Sequence, residues 1–189
     1  MRCLSRLFSI CGRHMRRGAR MLRRDERGMI AVEFALMIPI AVLILVGEFT
    51  LGEAISISRK VAITGRTLTD LVARRAIVST SDLTTILNAS TQIIAPFSTS
   101  NLTILLAEVS TDASGTKVDW SEPFNTTPLL KGSPFVLPTG MAQVGTSLIY
   151  AYVRYDYTPP FATRMIPAVP IRYTFYINPR VTSSVPRVN

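Results

Sequence analysis

From Met29 to Gly47 the chain reads MIAVEFALMIPIAVLILVG, nineteen positions whose only charge is Glu33. As a helix rising about 1.5 Å per residue, such a run covers roughly the 30 Å of a bilayer's hydrocarbon. A core helix of a soluble protein normally keeps a polar face, and this segment has none. The pattern therefore predicts a transmembrane helix over residues 29–51. Beyond it the periodicity turns amphipathic. Ile57, Val61, Leu68, Leu71 and Val72 fall at helical spacing, with Arg59, Lys60, Arg66, Asp70, Arg74 and Arg75 largely elsewhere, which predicts helix over 53–78. Asp70 and Arg74 form an i, i+4 pair in the favourable order. Gly47, Gly52 and Gly65 are expected to bend or weaken the helix.

A cap-like Ser81-Asp82 opens a second stripe of Leu83, Ile86, Leu87, Ile93 and Ile94, which Pro96 ends. Residues 52–96 thus read as a helical stalk. After Pro96 the period changes to two. Leu102, Ile104 and Leu106 alternate with Thr103, Leu105 and Ala107, and Asp112-Ala113-Ser114-Gly115 is a turn signal before a strand around Val118 and Trp120. SLIYAYVRYDY at 147–157 is rich in strand formers, and Ile171, Tyr173, Phe175 and Ile177 alternate with Arg172, Thr174, Tyr176 and Asn178. Prolines between these runs mark loops or edges. The expected fold is α+β and membrane-anchored: the transmembrane helix continues into a long amphipathic helix, packed on a small antiparallel sheet built from residues 97–189.

Charge fixes the expected direction of insertion. Residues 1–28 hold nine arginines against Asp25 and Glu26, so most of the chain's net charge of +9 lies in this tail. Arginines placed directly before an apolar run stay in the cytoplasm. The N-terminus is expected inside, and the C-terminal domain on the far side. Orientation accounts for the basic tail without nucleic acid as a partner, and contact with anionic lipid is compatible with it.

Cys3, Cys11 and His14 all lie in the tail, so residues 29–189 contain neither Cys nor His. Disulfides, zinc sites of the usual kind, cysteine nucleophiles and Ser-His-Asp arrangements are excluded from the exported part. Asp112, Asp119 and Glu122 remain as carboxylates, a residue type that in turns is ordinarily solvated surface. Tyr150, Tyr152, Tyr155 and Tyr157 read as sheet packing. No catalytic residue, cofactor or metal is expected.

Glu33 needs a reason, because a carboxylate in a bilayer costs roughly 2.5–3.5 kcal/mol on insertion scales. Its neighbourhood is Arg27-Gly28-Met29-Ile30-Ala31-Val32-Glu33-Phe34. A glycine closes the basic segment, and a glutamate followed by an aromatic stands at the fifth position beyond it. This resembles the processing site of Flp/Tad type IVb prepilins, and GMIAVEFALMIPIAVLILVGEF is similar to the start of the TadE-like minor pseudopilins. RYDYTPPF at 154–161 and INPR at 177–180 also look like that family's exported domain.

The resemblance implies a pilin-like protein of the bacterial inner membrane, cut by a prepilin peptidase between Gly28 and Met29. Glu33 and Phe34 would set helix register during assembly of a tight-adherence pilus. The implied partners are membrane lipid, the peptidase, other pilins and the Tad inner-membrane platform, with a periplasmic C-terminal domain; incorporation into the filament stays open. The 28-residue leader is long for the family, and Met21 would give an eight-residue one, so initiation at Met21 or Met15 is a further expectation. The competing reading is an uncleaved single-pass envelope protein whose exported domain binds a partner or polysaccharide.

Overall fold

The computed structural model describes residues 26–160 and 167–188. Its first element, α1, runs unbroken from Glu26 to Ala73, 48 residues, or roughly 70 Å of helix. Pro39 lies inside it, where the missing N–H costs one hydrogen bond in a long ladder. The expected weak points at Gly47 and Gly52 do not interrupt it. Contacts divide the chain between Phe49 and Thr50 into two units.

In the first unit the apolar side chains of α1 are exposed in every direction, from Met29 at 69% through Leu36 at 68% to Leu45 at 67%. Residues from Gly28 onward make a helix long and apolar enough to cross a membrane.

In the second unit α1 lies on a four-stranded antiparallel sheet of β2 (Leu102–Asp112), β3 (Gly115–Phe124), β4 (Thr146–Tyr157) and β5 (Val169–Ile177), ordered β3-β2-β4-β5. The α+β architecture expected from the change of period is present. Ile57, Val61, Leu68 and Val72 meet Leu102, Ile104 and Leu106 of β2 and Ile149, Ala151 and Val153 of β4 in one core. Each of these strand residues is of even phase on β2 or odd phase on β4. The unshifted β2–β4 register, Ile104 opposite Val153 and Leu106 opposite Ala151, therefore puts them on one face.

Several details differ from the sequence reading. Helix α1 stops at Ala73 rather than 78, and its end is closed by the Arg180 N–H donating to the Ala73 carbonyl at 2.8 Å. Leu71 is 41% exposed. Thr64 and Thr69 are buried in its stead, their hydroxyls turned back to the carbonyls of Lys60 and Gly65, so no polar atom of theirs is left unpaired. The second helix expected within the stalk 52–96 is present as α2 (Thr80–Thr91), and a two-residue strand, β1 (Val78–Ser79), precedes it. The cap of α2 is Ser79, not Ser81. Ser79 and Asp82 form a reciprocal capping box, and a 3-10 turn over Gln92–Ile94 follows before Pro96.

The turn signal at 112–115 becomes the tight β2–β3 hairpin, with Asp112 opposite Gly115. A further strand, β6 (Arg187–Val188), returns to pair in parallel with β1. The sheet's outer face is covered at one end, where Leu129, Phe135 and Leu137 pack over Val109, Val118 and Leu148.

Candidate functional site

Four residues singled out by sequence, Gly28, Met29, Glu33 and Phe34, lie on the described part of α1. Glu33 stands four positions after Met29, so the two share one helix face. A Cβ built on Gly28 would meet nothing within 4 Å. Met29 is 69% and Phe34 63% exposed, and Glu33 is exposed. Among the described residues nothing packs over these side chains. The basic leader before them, with Cys3, Cys11 and His14, lies outside the described residues.

The carboxylates left as candidates are not gathered. Asp112 sits at the exposed hairpin tip with Ser114 and Lys117. Asp119 accepts from the Ser110 hydroxyl at 2.9 Å, and Glu122 pairs with Arg187 at 3.0 Å. Asp112 opposes Gly115 while Glu122 opposes Leu106, which puts the two about 20 Å apart along the strands. Among the described residues no cluster of His, Cys, Asp and Glu could hold a metal ion.

The acid that the fold does bury is Glu108, 1% exposed. One oxygen accepts from the Val185 N–H at 2.6 Å and the other from Trp120 Nε1 at 2.8 Å; that indole nitrogen also lies 2.8 Å from the Val185 carbonyl. Burial pushes the carboxyl up from its usual range, against the hydrogen bonds from Val185 and Trp120 that favour its charged form. Glu108 lines a cleft of about 710 Å³ together with Asp119, Trp120, Lys131 and Arg187. Its even phase on β2, shared with Leu102, Ile104 and Leu106, was the available signal that it points inward. Its partner Val185 belongs to a segment without strand periodicity, so the bond itself left no trace in sequence.

The C-terminal segments picked out by resemblance hold structural positions. Arg154 and Asp156 of RYDY form an ion pair at 2.9 Å. Arg180 of INPR reaches Asp70 at 2.7 Å, and Asp70 also holds Arg74 at 2.6 Å as its spacing suggested. Tyr155 and Tyr157 are buried, and Tyr150 packs edge-on against Phe135. No family model, curated protein or solved structure matches this chain.

Proposed function

We propose that the protein is a membrane-anchored minor pseudopilin that acts in assembly of a tight-adherence pilus after a prepilin peptidase cuts between Gly28 and Met29. One observation carries the reading: the only charge between Met29 and Gly47 is a carboxylate four positions past the residue that the cut would make N-terminal. Cleavage would create an α-amino group one helical turn from Glu33. Amine and carboxylate could then pair within the chain or between neighbouring subunits, and a polar pair in apolar surroundings is best attested as a device that fixes register. The all-round apolar exposure of α1 before Phe49 supports lipid as its surrounding. The continuation of that helix onto an antiparallel sheet is the arrangement a pilin-like fold requires.

Expression with and without a prepilin peptidase tests the proposal. Intact mass should fall by the leader only when the enzyme is present, and N-terminal sequencing should begin at Met29. A chain recovered uncut beside an active peptidase would leave the single-pass envelope protein as the reading.

A further inference from the structure

Where β4 begins and β5 ends the two strands lie side by side, with Ile149 opposite Ile177. The loop before Thr146 and the chain after Ile177 wall a second cleft there, about 440 Å³ in volume. That size falls within the roughly 300–1,000 Å³ of small-molecule sites. The cleft lies wholly within the unit that begins at Thr50. None of the described residues lining it is Lys, Arg, Asp, Glu or His, unlike the cleft at Glu108 with its Asp119, Lys131 and Arg187. A charged ligand would lose hydration here and gain no ion pair in return.

The lining offers amides, hydroxyls and one aromatic ring. Gln143 from the loop and Asn178 from the end of β5 are both exposed. Among the described residues neither side-chain amide makes a hydrogen bond, so each presents two N–H donors and a carbonyl acceptor. Thr146 donates its hydroxyl to the Gln143 carbonyl at 2.7 Å, and Thr182 donates to the Ser184 carbonyl. Their hydrogens are engaged, and their oxygens remain as acceptors. Tyr176 adds a half-buried ring, fixed by Tyr150 at 5.4 Å, which packs on Phe135 at 4.9 Å. The walls hold themselves in place: the Gly145 N–H donates to the Thr111 carbonyl at 2.8 Å, and the Ser147 hydroxyl to the Ser183 carbonyl at 2.5 Å.

A neutral saccharide has the chemistry that matches this set. Each sugar hydroxyl both donates and accepts, as a primary amide does, and the C–H faces of a sugar ring are apolar, as an aromatic ring is. An extended peptide would instead seek a free strand edge and pockets for alternate side chains. We infer that the cleft between Gln143 and Asn178 is a binding site for neutral saccharides, in which the two amides hold ring hydroxyls and Tyr176 lies against C–H groups. The site is present whether or not the chain is cut after Gly28.

The test is an array of immobilised oligosaccharides, probed with the full chain in an amine-oxide detergent, which has no sugar headgroup. The array carries neutral glucans, mannans, galactans and N-acetylglucosamine oligomers beside acidic uronates. Neutral members should retain the chain and uronates should not. The best neutral ligand is then titrated in solution by calorimetry. Gln143→Ala and Asn178→Ala should each weaken it by about three- to tenfold, and both variants should unfold at the same denaturant concentration as the parent, since neither side chain holds the fold. Gly28→Leu, which keeps the leader on, should bind as tightly as the parent, so a failure of processing reads separately from a failure of this site. An array on which no neutral member retains the chain would overturn the assignment. Equal retention by the uronates would do the same, as would titrations that neither alanine substitution changes.

Discussion

A β-carbon placed on Gly65 would lie 2.4 Å from Cε2 of Phe175 and 3.3 Å from a methyl of Val153. Gly65, in the last third of α1, thus faces the sheet at a place where the Phe175 ring leaves room for only a hydrogen. Arg66, the next residue, carries its guanidinium 5.9 Å from the centre of the same phenyl ring, within the range of a cation–π contact. Gly65→Ala should therefore destabilise the domain by about 1–3 kcal/mol through overpacking, although alanine favours helix by up to about 1 kcal/mol. Denaturant unfolding followed by fluorescence of Trp120, the only tryptophan, measures it. Phe175→Leu in the same chain should recover part of the loss, and additive effects would refute the contact.

Glu108 should make stability depend on pH in a direction opposite to that of a salt-bridged acid. Its carboxyl pKa is raised in the folded chain, so the folded state binds the proton more tightly than the unfolded one. Its contribution is then complete below the ordinary value near 4.5 and is lost as pH rises through the raised value. Glu108→Gln should flatten that slope, which unfolding curves between pH 4 and 8 would reveal. Glu108→Ala should cost about 1–3 kcal/mol at any pH in that range, because the Val185 N–H loses its acceptor.

Two phenols, Tyr157 buried and Tyr150 half-buried, should resist alkaline titration. Burial pushes Tyr150 and Tyr157 up to about 12, and for Tyr157 the Glu53 carboxylate adds to the effect. Both raised values mean stability that is present below pH 10 and lost as pH climbs through about 12. Ultraviolet titration of phenolate should show a late component that Tyr157→Phe reduces by one tyrosine.

Glu33→Gln separates processing from assembly. Removing the charge lowers the insertion cost, which is roughly 2.5–3.5 kcal/mol for a charged side chain at the centre of a span, by the part due to ionisation, so membrane recovery and cleavage after Gly28 should be unchanged or better. Co-purification with other pilins should fall at least tenfold if an ion pair of about 1.4 kcal/mol or more sets the register. Gly28→Leu should do the reverse, blocking the cut while leaving the uncut chain in the membrane. Retained assembly by Glu33→Gln would remove the register role.

The two kinds of periodicity were strong enough to be read directly. Ile57, Val61, Leu68 and Val72 gave the inward stripe of α1, and Leu102, Ile104 and Leu106 gave that of β2. What escaped depends on chain segments far apart. Leu71 looked like core, yet Thr64 and Thr69 take the buried positions because their hydroxyls are satisfied by their own helix. Gly65 looked like a weak point because propensity is local, whereas Phe175 reaches it only in the fold. The run Ser79-Thr80-Ser81-Asp82 offers several side chains able to cap, and local sequence does not single out Ser79. Gly28 and Glu33 lie on one helix, so their spacing is read from sequence without reference to packing.

Strand β5 and the segment that follows it run alongside α1 in the same direction, with Ser58 touching Tyr173, Gly65 against Phe175 and Asp70 bound to Arg180. A pull on the apolar end of the helix would therefore load these contacts in parallel, as shear, rather than peel them one at a time. Traction along α1 would be shared across several turns at once.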